Sequence, residues 1–269
     1  MSTLILTLKQ GLNRPVDMSA VKPSALAGLT AFEISSLVLG SGATAVALGD
    51  VFDVSGAPDS NVTISGGSSY LDYVGAGLDS GSVTVDGPVG NYAGTAMKGG
   101  RLDIRGDAGA YLASRMSGGI ATVKGNAGDF VGGTRPGDRF GMTGGIVVIE
   151  GDIGARAGDK MRRGTVIVKG KAGPGAGTRM IGGTIWAEGG FGADPGLMMR
   201  RGTLIGSKVE RLLPTFSDCG KHDLVIVRVL NRYLKQTLGD LAPKPLPLMV
   251  QRIAGDMATI GKGEILLPG

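Results

Sequence analysis

One cysteine, one histidine and one tryptophan serve a chain of 269 residues. A single cysteine, Cys219, excludes an internal disulfide. With His222 as the sole histidine, no conventional metal set can be assembled. Aromatic residues make up 4% of the chain. No apolar run approaches the ~20 residues that a membrane-spanning helix needs. The N-terminal stretch MSTLILTLKQGLNRP lacks the basic-then-apolar layout of a secretory signal. These absences lead to the expectation of a cytoplasmic protein with neither membrane nor nucleic acid as partner.

Glycine is what abounds, at 50 residues, more than twice its usual share of about 7%. The period of three of collagen is absent, and so is the Pro, Gln and Ser bias of disorder. Instead one phrase returns: MKGGRLDIRGDAG at 97–109, MSGGIATVKGNAG at 116–128, MTGGIVVIEGDIG at 142–154, MRRGTVIVKGKAG at 161–173 and MIGGTIWAEGGFG at 180–192. The glycines opening each phrase are Gly81, Gly100, Gly119, Gly145, Gly164, Gly183 and Gly202. Their spacing is 19 residues throughout, except for one of 26 that holds the insertion GGTRPGDRFG at 132–141.

Self-similarity at a fixed period of this length marks a solenoid. Each unit contains a strand with period-two alternation, such as Val83/Val85, Leu102/Ile104 and Val166/Val168. A second small-residue stretch runs through Val89, Ala108, Ala127, Ile153, Ala172 and Phe191. Nineteen residues hold two or three short strands and their corners, but no helix of normal length. The fold class expected is all-β, a right-handed parallel β-helix with small α/β caps at both ends. At ~4.8 Å per coil, eight coils would span roughly 40 Å.

Residues 1–45 are expected to form the N-terminal cap, 46–206 the solenoid, and 207–269 a C-terminal cap or extension. The first cap offers a strand in TLILTLK and a short helix near Thr30, with Glu33 completing a capping box. Coils then start around DVFDVSG and NVTISG. The last segment predicts a helix with Leu224, Val227, Leu230, Leu234 and Leu238 on one face, closed by Gly239. A hairpin follows in LMVQRIAGDM and GEILLPG.

Three columns bear on function. Met97, Met116, Met142, Met161, Met180 and Met199 each stand three residues before an opening glycine. A path of soft ligands is conceivable there, but a stacked interior ladder is the reading adopted. Three residues after the opening glycines, Val148, Ile167, Trp186 and Ile205 form an outward apolar stripe. It is expected to be a protein interface or a surface covered by the chain's own tail. At the corner, Arg162-Arg163 and Arg200-Arg201 lie two coils apart, with Lys160 and Arg179 nearby. Net charge is +5, and residues 92–211 hold the excess, with 18 Lys/Arg against 10 Asp/Glu. The four arginines are therefore expected to hold a polyanion or an acidic partner loop.

No catalytic constellation emerges. Cys219 and His222 are three apart at an expected helix start, which suits a cap better than a nucleophile pair. Asp103, Glu150 and Glu188 fall on different coils. GxGxxG-like strings occur, but none precedes a helix.

The coils and their corners, Gly87-x-x-Gly90-x-x-x-Gly94, Gly151-x-x-Gly154-x-x-x-Gly158 and Gly170-x-x-Gly173-x-x-x-Gly177, resemble a known glycine-rich solenoid. It is shared by the C-terminal domain of glutamate synthase and the C subunit of formylmethanofuran dehydrogenase. With the lead-in LTAFEISSLVL and LGDVFDVSG, the chain is similar over nearly its whole length to the C subunit of bacterial formyltransferase/hydrolase complexes.

This resemblance implies a non-catalytic subunit beside an amidohydrolase-like hydrolase, a formyltransferase and a molybdopterin-subunit-like protein. Such a complex moves formyl groups between tetrahydromethanopterin and a methanofuran-type carrier and releases formate. It also implies that the carrier's tail can be rich in glutamate, and it transfers no catalytic residue to this chain. The alternatives are the C subunit of a molybdenum or tungsten formylmethanofuran dehydrogenase, or a free-standing interaction module. A hexapeptide acyltransferase would need a six-residue rhythm, and a polysaccharide lyase longer coils and an export signal. A glutamate-synthase-like amidotransferase would need cysteine where Ser2 stands.

Overall fold

The computed structural model describes residues 3–9 and 11–268, so Ser2 lies outside the described residues. The chain is all-β, dominated by one 13-stranded sheet. Its strands are β1 (Leu4–Leu8), β2 (Phe52–Ser55), β3 (Asn61–Ser65), β4 (Ser82–Asp86), β5 (Arg101–Ile104), β6 (Ile120–Val123) and β7 (Thr143–Ile149). They continue with β8 (Arg163–Val168), β9 (Thr184–Ala187), β10 (Arg201–Gly206), β11 (Ser217–Asp223), β12 (Met249–Gly255) and β13 (Lys262–Pro268). The spatial order is β11-β12-β13-β10-β9-β8-β7-β6-β5-β4-β3-β1-β2.

Strands one repeat apart pair in parallel and in register, so like side chains stack on like. Val83 lies beside Leu102, Leu102 beside Ala121, and Ala121 beside Val147. All four are fully buried. Burying each of the larger side chains contributes about 1.5–3 kcal/mol. A second row of parallel bridges links Val89, Ala108, Ala127, Ile153, Ala172 and Phe191, the small-residue stretch legible in the sequence. The six methionines of the column are all at 0% exposure. They belong to the interior.

The rows meet at corners where backbones approach closely. A Cβ on Gly170 would stand 2.1 Å from Oδ1 of Asp152, which accepts the Lys171 N–H of the next coil at 2.7 Å. Only glycine leaves room for that bond.

Both ends of the chain add rungs to this ladder, which the sequence does not announce. The expected N-terminal strand exists as β1, but it pairs in parallel with β3. DVFDVSG does not start a coil. Its strand β2 runs antiparallel to β1 and closes that end of the sheet. At the other end β13 pairs in parallel with β10, and the hairpin brings β12 antiparallel to it. Antiparallel strands at both ends stop further parallel stacking, one device against edge association. A short helix α1 (Ala31–Ser35) starts at Thr30, where Thr30 and Glu33 complete the expected capping box.

The long helix α2 (Val225–Leu238) ends at Gly239, with φ 59°. Its face of Val227, Leu234 and Leu238 is buried, with Leu230 packed alongside. What it packs on is the sheet's outer surface. That makes a second core, separate from the one that holds the methionines.

Candidate functional site

The outward stripe forms as a single column. Val148 lies beside Ile167, Ile167 beside Trp186, and Trp186 beside Ile205. Of the two expected occupants, a partner protein and the chain's own tail, the structure places the second, and the stripe is not open as an interface. Exposures are 1%, 0%, 3% and 0% along the column, because α2, Leu246, Val250 and Leu266 cover it. The chain's own tail is the occupant. An ion pair latches that tail down: Lys169 Nζ donates to the Ala242 carbonyl at 2.6 Å and meets Glu188 at 3.1 Å. Glu188 in turn accepts the Lys244 N–H at 3.1 Å.

The cationic corner stays open. Arg162, Arg163, Arg200 and Arg201 are exposed, and among the described residues none has a carboxylate within 4.0 Å. Arg162 and Arg139 both lie over the ring of Phe140, at 5.2 and 5.0 Å from its centroid. Arg163 and Arg201 begin strands separated by β9, a span of ~9–10 Å. Arginine at these corners carries no left-handed strain. None of the four has a positive φ. Glycine is used at the equivalent Gly144 because a Cβ there would stand 2.2 Å from the Ser117 carbonyl. Arg163 escapes that clash through a register shift between β7 and β8 after Thr143.

Cys219 and His222 are not at a helix start. Both lie on β11, and the helix N-cap is Leu224, which offers no side-chain bond. The thiol points to the Ser217 carbonyl at 3.6 Å, and His222 Nε2 meets the Cys219 carbonyl at 2.9 Å. Sulfur and imidazole therefore engage backbone rather than each other. Asp103 bonds Arg101 and Thr122, and Glu150 pairs with Lys124 across a coil boundary. Among the described residues no three His, Cys, Asp or Glu side chains are grouped to hold a metal.

One column is not among those read from the sequence. Tyr73, Tyr92, Tyr111 and Phe130 stack face to face, with centroids 4.8, 5.2 and 4.9 Å apart. The signal was their recurrence every 19 residues. All four have φ between 59° and 64°, a region bulky residues avoid. The insertion at 132–141 then lies beside this column. Burial first, then neighbouring Tyr92, pushes the Tyr73 hydroxyl above its usual range, while Arg135 of the insertion pulls it down.

No family model matches the chain. The C subunit of the formyltransferase/hydrolase complex Fhc of Methylorubrum extorquens is 54% identical over 268 residues, covering 100% of both chains. This chain belongs to that family of C subunits. The crystal structure of the formyltransferase/hydrolase complex (FhcABCD) from Methylorubrum extorquens in complex with methylofuran contains a chain of the same shape. It superposes with a TM-score of 0.90 and 40% identity, covering 98% of this chain and 99% of that one. The C subunit of the molybdenum-containing formylmethanofuran dehydrogenase 1 of Methanothermobacter thermautotrophicus is 34% identical over 88 residues, 32% of this chain and 22% of its own length. The C-subunit family thus reaches across the whole ladder and the tail that covers it. Among the described residues no helix is long and apolar enough to cross a membrane.

Proposed function

We propose that this chain is a non-catalytic structural subunit of a formyltransferase/hydrolase complex. In this reading the two parallel rows are faces of one right-handed β-helix. Residues 46–206 form its body, and residues 1–45 and 207–269 close its ends. The observation that carries the function is the full-length relationship to the Fhc C subunit, 54% identical over 268 residues. The partners are a hydrolase subunit of amidohydrolase type, a formyltransferase subunit and a molybdopterin-subunit-like protein. Together they move formyl groups between tetrahydromethanopterin and a methanofuran-type carrier and release formate. The side chains support a structural role, since the one thiol and the one imidazole both bind backbone carbonyls.

Arg162, Arg163, Arg200 and Arg201 are proposed to hold acidic groups, either of the carrier or of a partner loop. Their exposure and lack of carboxylate partners among the described residues favour this. A dehydrogenase complex is the second reading, supported by the 88-residue match alone.

Isolating the untagged chain with what co-elutes separates the two. Hydrolase and formyltransferase subunits without molybdenum or tungsten support the first reading, and a metal-bearing dehydrogenase subunit overturns it. Carrying Cys219→Ser and His222→Gln into that complex should leave formate release intact. Its loss would end the non-catalytic reading.

A further inference from the structure

The seven-residue insertion is the one departure from the 19-residue period, and it builds a cleft of about 280 Å³ against the end of the aromatic column. Its loop is held by Thr134, whose hydroxyl contacts the Asp138 carbonyl at 3.1 Å, and by Arg135, which donates to Asp138 at 2.9 Å. Across the cleft stand Arg156, Lys160 and Arg179, carried on the two following coils.

The lining is dominated by hydrogen-bond donors. Four cations, Arg135, Arg156, Lys160 and Arg179, face two carboxylates, Asp138 and Asp159. Asp159, at 1% exposure, grips Arg179 with both oxygens and lies 3.7 Å from Arg156. The guanidiniums are thereby fixed in place while their remaining N–H groups stay available. Lys160 has no carboxylate within 4.0 Å among the described residues. The walls agree with the charges. Phe130 has one face on Tyr111 and the other under Arg156, 5.2 Å from its centroid. What it turns to the cleft is its edge, the positive end of the ring quadrupole.

Arg156, Lys160 and Arg179 have φ of 56°, 52° and 53°, where L-residues are uncommon. Lys160 and Arg179 occupy the turn position that Gly77 fills with φ 64°, each donating its N–H to the coil above. Ala96, Arg115 and Met198 take the same turn position with φ of 54°, 58° and 55°, so the turn accepts varied side chains and what sets Lys160 and Arg179 apart is that they line the cleft.

We propose that this cleft binds a small oxyanion, a carboxylate or phosphate, carried on a body with an apolar face. The cations take the charged head, and Pro136 with the ring edges takes the body. The site shares no residue with the corner arginines and does not rest on the carrier reading.

Footprinting of the intact assembly that purifies with the full chain tests it. Limiting N-hydroxysuccinimidyl acetate labels lysines, and Lys160 is compared with exposed Lys98 by peptide mass spectrometry, with benzoate, phenyl phosphate or matching sodium chloride added. Either oxyanion is expected to protect Lys160 saturably and to leave Lys98 unprotected, and the one that saturates lower names the head group. In the Arg156→Asn variant, whose new side chain tolerates positive φ, the half-protecting concentration should rise about tenfold. Equal protection by chloride, no protection, or no change in the variant overturns the proposal. A Lys160 that resists labelling with nothing added lies under a partner protein, and that equally overturns it.

Discussion

The methyl group of Met161 lies over Gly183, so close that a Cβ on that glycine would stand 2.9 Å from it. The same relation joins Met97 to Gly119, Met116 to Gly145 and Met142 to Gly164. Each methionine thus fills the space that the next coil's glycine leaves open, and φ at Gly183 is 98° besides. Gly183→Ala should cost about 2–4 kcal/mol, from left-handed strain plus overpacking. Met161→Leu should cost ~1 kcal/mol or less, while Met161→Asp buries an unpaired charge and should leave the chain insoluble. In the double variant Met161→Ala with Gly183→Ala, the new methyl enters the vacated space. Its cost should fall short of the sum of the singles by about 0.5–3 kcal/mol. Urea unfolding measures the cycle, and strict additivity would show the two residues are not coupled.

Trp186 sits between Ile167 and Ile205 beneath α2. Trp186→Asp should place a carboxylate in that second core at a cost of several kcal/mol. The helix should then lift and residues 207–248 become open to limited proteolysis, while the methionine ladder stays folded. Continued protection of α2 would mean that the Lys169–Glu188 latch, rather than the apolar stripe, holds the tail.

Asp72 gives a pH test. Burial pushes its carboxyl above the usual range, the Asn91 N–H bond at 2.7 Å opposes this, and Asp17 adds to the rise. The folded chain therefore holds this proton more tightly than the unfolded chain. Stability from this group declines as pH rises from the unfolded value, about 3.9, through the higher folded value. Asp72→Asn keeps the acceptor for Asn91 and removes the charge. It should raise the melting midpoint at neutral pH, with the gain vanishing below about pH 3. An equal gain at every pH would contradict the assignment.

The 19-residue period made the ladder legible because in-register stacking repeats the same demand at each level. Interior methionines, opening glycines and the apolar stripe all follow from it. The cover of the stripe does not. The α2 face of Val227, Leu230, Leu234 and Leu238 is plain in the sequence, yet nothing local says which surface it meets. The rungs β1 and β13 are hidden for the same reason, since each pairs with a strand some 60 residues away. The aromatic column carried the full period but stands outside the strands, where no alternation draws attention to it. Asp107, Asp129 and Asp152 look like solvated corner charges, although each accepts an N–H from the next coil.

The corner arginines supply the sharpest test of the proposed assembly role. Arg162 and Arg163 stand two strands from Arg200 and Arg201, all exposed and all without a carboxylate among the described residues. Salt distinguishes a polyanion from solvent at this edge. Charge-assisted contacts at an exposed edge weaken as the Debye length shrinks from about 10 Å at 0.1 M to 3 Å at 1 M. The variant with all four arginines changed to glutamine should retain less carrier, or fewer partner proteins, than the native assembly at low salt. The native assembly should lose the same component when salt is raised. Since none of the four has positive φ or lies in the core, the variant should fold with an unchanged melting midpoint. A variant that keeps carrier and partners at both salt concentrations would show that this edge faces only water.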